Sequence, residues 1–208
     1  MREDIEIRPL SKGQDCENYI RLQKEVSPFR HMFDEKEFCD KSWEDMFAEG
    51  RIPSAITEEE DGNFCGYCAI KNIKHDKLEI QIELLEKFRR CGVGYPALCN
   101  LIYAMKEVHG IKNFTYCTDS DNYASQGLAS KAGGKPHGLK RFFFLKKDET
   151  EKFEEENMDM LDDKLKGVAV SFNVEPRKQL SHILVYTVGI DDIVQSVETN
   201  GGRQYVSI

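Results

Sequence analysis

The sequence predicts an α/β chain in which a mixed sheet of short strands carries helices and is followed by an α/β extension. Three observations carry this reading. Segments of period-two hydrophobicity alternate with segments of helical period along the first 147 residues. One of those strands, Leu78 to Leu85, runs into the glycine-bearing turn Arg89-Arg90-Cys91-Gly92-Val93-Gly94 at the mouth of a helix. At Asp148 the composition turns sharply acidic, which sets the expected division: a first domain over residues 1–147, and an extension over 148–208 made of an acidic helix and strand-rich segments. The extension is too short to stand alone, so docking on the first domain or on a partner subunit is expected.

The elements follow in order. Ile5-Glu6-Ile7-Arg8 alternates and stops at Pro9; Ser11-x-x-Gln14 then has the form of a capping box opening a helix to about Val26. Asp34 with Glu37 marks a second helix start, Phe33 and Phe38 fit a hydrophobic staple, and Gly50 sets its expected end. A meander comes next: Ile52 to Glu58, a turn at Asp61-Gly62, Phe64 to Ile73, a turn at His75-Asp76, and Leu78 to Leu85. Val93 to Val108 carries a helical stripe at Leu98, Leu101, Ile102, Met105 and Val108 that suits packing on a sheet. Lys112 to Thr118 reads as a short buried strand, and the segment from Asn122 as a helix closed by Gly133-Gly134. Leu139 to Lys146, with Phe142-Phe143-Phe144, reads as a late strand. In the extension, Thr150 to Lys166 reads as one solvated acidic helix with Phe153, Met160 and Leu161 as its apolar contacts. Val168, Val170, Phe172 and Val174 alternate as a strand would, and Ile183 to Val188 forms an apolar run. Asp191 can cap a short helix through Val197, and Asn200-Gly201-Gly202 turns into a last strand, Gln204 to Ile208.

A strand feeding two glycines at a helix mouth makes an anion cradle, because glycine lets the backbone approach closely and the first-turn N–H groups have no intrahelical acceptor. The dinucleotide fingerprint fits poorly, since position 90 is arginine where that fingerprint has glycine. A P-loop fails outright, since Gly94 is followed by Tyr95 and Pro96 rather than Lys and Ser or Thr.

What remains, Arg/Gln-x-x-Gly-x-Gly/Ala between strand and helix, resembles the pyrophosphate loop of the GCN5-related N-acetyltransferases (GNAT). A second block, Asn122-x-x-Ser125-x-x-Leu128-x-x-Lys131-x-Gly133, is similar to that family's helix along the pantetheine arm. The resemblance covers about Ile5 to Leu145, in matching order and type. It implies an acyl-CoA N-acyltransferase fold, acetyl-CoA as cosubstrate and an amine-bearing acceptor. It implies main-chain pairing with pantetheine near Leu84 and Leu85, and a pyrophosphate site at Arg89, Arg90, Cys91, Gly92, Val93 and Gly94. Asn122 and Ser125 would contact the pantetheine or phosphate arm, although Asn is also an ordinary helix N-cap. Many members carry a tyrosine at the place that here holds Ala129, so the acid that protonates the departing thiolate stays open among Tyr123, Ser125, Ser130 and solvent.

For the base, the strand's alternation puts Leu78, Ile80, Ile82 and Leu84 on one face and Glu79, Gln81 and Glu83 on the other, so Glu79 and Glu83 are the candidate catalytic carboxylates. The acceptor is expected to be a small amine such as a polyamine, or a protein N-terminus or lysine. The alternative is a CoA-binding regulatory or interaction module with impaired catalysis. The net charge of −8 weighs against nucleic acid and mildly favours cationic acceptors. Seven scattered cysteines do not form a disulfide framework, and Cys65-x-x-Cys68 lies inside a strand without a second pair, so no metal is expected. With no long apolar run and a charged N-terminus, no membrane association and a cytoplasmic location are expected, as is a homodimer through the extension.

Overall fold

The computed structural model describes residues 4–73 and 78–193. Its seven-stranded sheet has the order β1-β2-β3-β4-β5-β7-β6. Strands β2 (Ile52–Glu58), β3 (Phe64–Lys71) and β4 (Glu79–Leu84) form the antiparallel meander the sequence predicts, and β1 (Ile5–Pro9) adds antiparallel to β2 at its edge. β5 (Asn113–Thr118) lies parallel to β4, with pairing only at Glu79↔Thr115 and Ile80↔Tyr116. Beyond those two pairs the strands splay. β7 (His182–Gly189) pairs antiparallel with β5 on one side and with β6 (Lys135–Arg141) on the other, so a strand from beyond residue 148 sits inside the sheet.

The helix α1 (Cys16–Val26) covers the face to which Tyr67 and Glu83 point, with Tyr19 packing against Tyr67 at 5.7 Å and Gln23 bonding Glu83, and α2 (Lys36–Asp45) packs on α1 through Trp43 and Tyr19. The helix α3 (Gly94–His109) packs on the meander, burying Leu98, Leu101, Ile102 and Met105 and ending at Gly110 in the left-handed region, while Val108 is left exposed. The helix α4 (Tyr123–Lys131) contacts α3 and β5. β3 and β4 approach so closely at Gly66 that an added Cβ would meet the Glu83 carbonyl oxygen at 2.1 Å, which only glycine permits.

Several local expectations are corrected. α1 begins at Cys16 rather than near Ser11, because Asp15 takes both the Ser11 N–H at 2.8 Å and a bidentate Arg8 at 2.7 Å. α2 has Glu35 at its N-cap and stops at Asp45, short of Gly50, while Asp34 is drawn into an ion pair with Lys24 at 2.8 Å. The staple itself is present, with Phe33 and Phe38 edge to face at 4.9 Å. β6 ends at Arg141, where the Phe142 N–H turns back to the Ser181 carbonyl, so Phe143 and Phe144 are exposed instead of continuing a strand. The acidic helix is broken into α5 (Thr150–Glu156), a 3-10 turn at Met158–Met160 and α6 (Asp163–Phe172), which Asp162 caps by accepting the Leu165 N–H at 2.8 Å. α6 absorbs the alternating valines. Its buried positions are Leu165, Ala169 and Phe172, a helical spacing, and Val170 is exposed. The turn read at 75–76, the strand read at 204–208 with its preceding turn, and the end of the helix read from Asp191 lie outside the described residues.

Candidate active site

The splay between β4 and β5 opens a cleft of ≈ 270 Å³ lined by Lys71, Glu79, Gln81, Glu83, Tyr116, Thr118, Asn122 and Ser125, among others. Its main-chain edge follows from strand alternation. The Leu78 carbonyl accepts from the Thr115 N–H, and the Leu85 N–H donates to Cys65. Odd-numbered β4 residues therefore spend their main-chain groups on β3, and Ile82 and Leu84 present theirs to the gap. Of the two residues expected to offer main-chain groups, Leu84 lies on this open edge, and its carbonyl accepts from Arg89 Nε at 3.0 Å; the Leu85 N–H is already used inside the sheet.

The carboxylates have different neighbours. Glu79 is only 17% exposed and stands between two ammonium groups, Lys140 at 3.2 Å and Lys71 at 4.0 Å. Glu83 accepts from Gln23 Nε2 at 2.6 Å and from Gln81 Nε2 at 2.7 Å, and among the described residues it forms no ion pair. Gln81 also donates to the Tyr67 hydroxyl at 2.6 Å. Burial holds the Tyr67 phenol well above its usual range, and the nearby Glu83 charge adds to this.

Below the gap, Asn122 caps α4 by accepting the Ser125 N–H at 3.1 Å, so its capping role is real. The Ser125 hydroxyl is 2.8 Å from that of Tyr116. Burial raises the Tyr116 pKa, opposed by this hydrogen bond, so the phenol keeps its proton at neutral pH. Tyr116 is a residue that sequence reasoning missed. It carries no local signal, because its meeting with Ser125 depends on how α4 packs against β5. Ala129 is fully buried, and Tyr123 is 41% exposed with the Lys164 ammonium over its ring.

The glycine turn lies at the C-terminal end of β4. Arg89, Arg90, Cys91 and Gly92 are exposed, Val93 is buried, and Gly94 opens α3. Arg90 and Gly92 both have positive φ, 58° and 80°, the kind of turn conformation in which neighbouring main-chain N–H groups can converge on an anion. A larger hollow of ≈ 580 Å³ lies outside this turn, lined by Arg21, Glu25, Leu85, Glu86 and Lys87. Of these two hollows among the described residues, the smaller joins the open strand edge to Glu79 and Glu83 and is the candidate reaction site. Two buried atoms in its lining, Gln81 Oε1 and Thr118 Oγ1, have no hydrogen-bond partner among the described residues, as expected of groups that meet a polar ligand. The open edge, these orphaned atoms and the glycine turn together fit an acyl-CoA.

Cys65 and Cys68 are buried strand residues, burial pushing the Cys68 thiol up to about 12, and Cys117 is raised to about 11 by burial and by Glu79. Neither Cys68 nor Cys117 is a ready thiolate. Among the described residues no group of three or more metal-ligating side chains is found, and no helix is long and apolar enough to cross a membrane.

Residues 4–135 match the model of the acetyltransferase (GNAT) domain. No curated protein matches the sequence. Among solved structures, spermidine N-acetyltransferase from Vibrio cholerae in complex with CoA and spermine is similar at TM-score 0.60 and 12% identity, over 93% of this chain and 99% of that one. The dodecameric form of spermidine N-acetyltransferase from Vibrio cholerae gives 0.60 and 12%, over 97% and 100%. Mycobacterium smegmatis RimJ in complex with CoA-disulfide gives 0.64 and 11%, over 97% and 91%. The domain match, the splayed β4–β5 pair and the glycine turn ahead of α3 lead to one conclusion: the chain belongs to the GNAT acetyltransferase domain family and is an acetyl-CoA-dependent N-acetyltransferase.

Proposed function

We propose that the cleft transfers the acetyl group of acetyl-CoA to a small primary amine by direct attack in a ternary complex, with Glu83 as general base and Tyr116 as the donor to the departing thiolate. The observation that carries this reading is the unpaired Glu83 carboxylate, aimed into the cleft by two amide donors. An incoming ammonium finds there a charge that no lysine or arginine among the described residues already occupies. Glu79, by contrast, is engaged by Lys71 and Lys140 and is better suited to holding the wall of the cleft than to taking a proton. Tyr116 supplies the hydroxyl that Ala129 lacks, with Ser125 at 2.8 Å able to pass a proton to it. The open main-chain edge at Ile82 and Leu84 and the turn from Arg89 to Gly94 support binding of the pantetheine arm and pyrophosphate. The net charge of −8 supports a cationic acceptor, and structural neighbours of the same fold include an acetyltransferase in complex with CoA and spermine.

The test is a calorimetric titration with acetyl-CoA, repeated with Gly92 and Gly94 both replaced by bulkier residues, followed by a screen of polyamines, other small amines and peptides. Binding near micromolar strength, about −8 kcal/mol, that is lost in the double variant and accompanied by turnover of a small amine is the expected result. Turnover of peptides alone moves the acceptor to a protein amine. Binding without turnover of any amine replaces the catalytic reading with that of a CoA-binding module, and no binding by the parent removes the cosubstrate assignment.

A further inference from the structure

The cleft already contains an amine of the chain's own. Lys71, the last residue of β3, faces Glu79 across the strand register and lines the same cavity as Glu83, Tyr116, Asn122 and Ser125. Its side chain is 24% exposed, and its Nζ is 4.0 Å from Glu79, whereas Lys140 approaches the other carboxylate oxygen at 3.2 Å. Glu79 therefore holds Lys140 closely and Lys71 loosely. An ordinary lysine is almost wholly protonated at neutral pH and a poor nucleophile. Burial lowers the Lys71 pKa, a shift opposed by Glu79 and Glu83 and reinforced by Arg51 and Lys140, so its neutral amine is more populated than that of a surface lysine.

We infer that Lys71 is a self-acetylation site, taking its acetyl group from acetyl-CoA bound in the same cleft; this rests on the cosubstrate site proposed above. In the step, the Nζ lone pair forms a C–N bond to the acetyl carbonyl carbon and the C–S bond breaks with its electrons going to sulfur. The proton released from nitrogen goes to the departing thiolate. The products are an amide on Lys71 and CoA, with nothing oxidised or reduced. Because an amide is a far weaker acyl donor than a thioester, the group does not pass on to a second amine. The modification is an end point: it removes a cation from beside Glu79, adds bulk to the cleft wall and lowers turnover of the external acceptor.

The experiment incubates the full chain with isotope-labelled acetyl-CoA at several protein concentrations and maps the label by peptide mass spectrometry, beside calorimetry of acetyl-CoA binding and parallel incubation of the Gly92/Gly94 variant. The expected result is label on Lys71 at a rate per molecule independent of protein concentration, absent from the glycine variant and from Lys71→Arg. Binding of acetyl-CoA with no label on Lys71, or with label only on exposed lysines such as Lys152, overturns the inference and leaves the cosubstrate site standing. Label on Lys71 whose rate rises with protein concentration overturns transfer within one molecule. An absence of binding overturns both the inference and the reading beneath it. If Lys71→Arg fails to fold, the label map of the parent chain decides alone.

Discussion

In the reaction proposed above, Glu83 would take a proton from the amine and Tyr116 would give one to the departing thiolate. A positioned base contributes about 10²–10⁴-fold to such a reaction, so Glu83→Gln is expected to lower kcat about 10²-fold with acetyl-CoA affinity retained, measured by steady-state kinetics beside calorimetry. A loss no larger than that of Glu79→Gln would remove Glu83 from the role. Tyr116→Phe is expected to cost less, since a free thiol has a pKa near 8.5 and its thiolate leaves without much help; a loss greater than that of Glu83→Gln would reverse the order of importance. The carboxylates were legible in the sequence because a strand sorts its residues by parity, and parity alone put Glu79, Gln81 and Glu83 in line. Which of them is engaged by lysines was not legible. Lys140 comes from β6, 61 residues away, and its approach depends on the assembled sheet. Tyr116 was hidden for the same reason.

Among the elements, the β3–β4 pair carries the tightest constraint. Gly66→Ala would push a methyl group into the Glu83 carbonyl and the Leu84 backbone, so it is expected to cost about 1–3 kcal/mol and to lower acetyl-CoA affinity by displacing the edge that Leu84 presents. Denaturant unfolding with calorimetry checks both. The segment between β6 and β7 is tied down by Glu154 of α5, fully buried yet bonded to Lys178 at 3.1 Å and to the Ser181 hydroxyl at 2.5 Å. Ser181 in turn meets His182 Nδ1 at 2.6 Å. Burial depresses the His182 pKa below its ordinary value, Lys178 and Arg141 adding to this and Glu154 opposing it. The unfolded chain therefore binds the proton more readily than the folded one. The contribution is fully present above about pH 6.5 and declines as the pH falls toward the folded-state value. Thermal unfolding between pH 7.5 and 5.5 should show this decline, and His182→Asn should flatten it; equal slopes for the two proteins would rule it out.

At the scale of the whole molecule, the meander and α3 were legible because local pattern and tertiary context agree there. The C-terminal part was less so. Val168 to Val174 alternates like a strand, but α6 buries Leu165, Ala169 and Phe172 against the sheet, and the choice between the two periods is made by what lies opposite. Phe142 to Phe144 has strand-forming side chains, yet the sheet offers them no partner once the chain turns at Ser181. The place of β7 between β5 and β6 lies outside the reach of local pattern, since it is set by long-range pairing.

The two-pair seam between β4 and β5 has a kinetic consequence. Main-chain amides of Ile82 and Leu84 face the gap without strand partners, so in the ligand-free protein they should exchange hydrogen for deuterium far faster than those of Glu83 or Leu85 beside them, which are held by β3. Saturating acetyl-CoA should slow the two even-numbered amides selectively, turning a one-residue alternation in exchange rate into uniform protection along the strand. Uniform slow exchange before any ligand is added would mean that the seam closes in solution. With the alternation present and erased by ligand, the sheet behaves as a rack with one slot left open, whose order along its full width is completed by the molecule it binds.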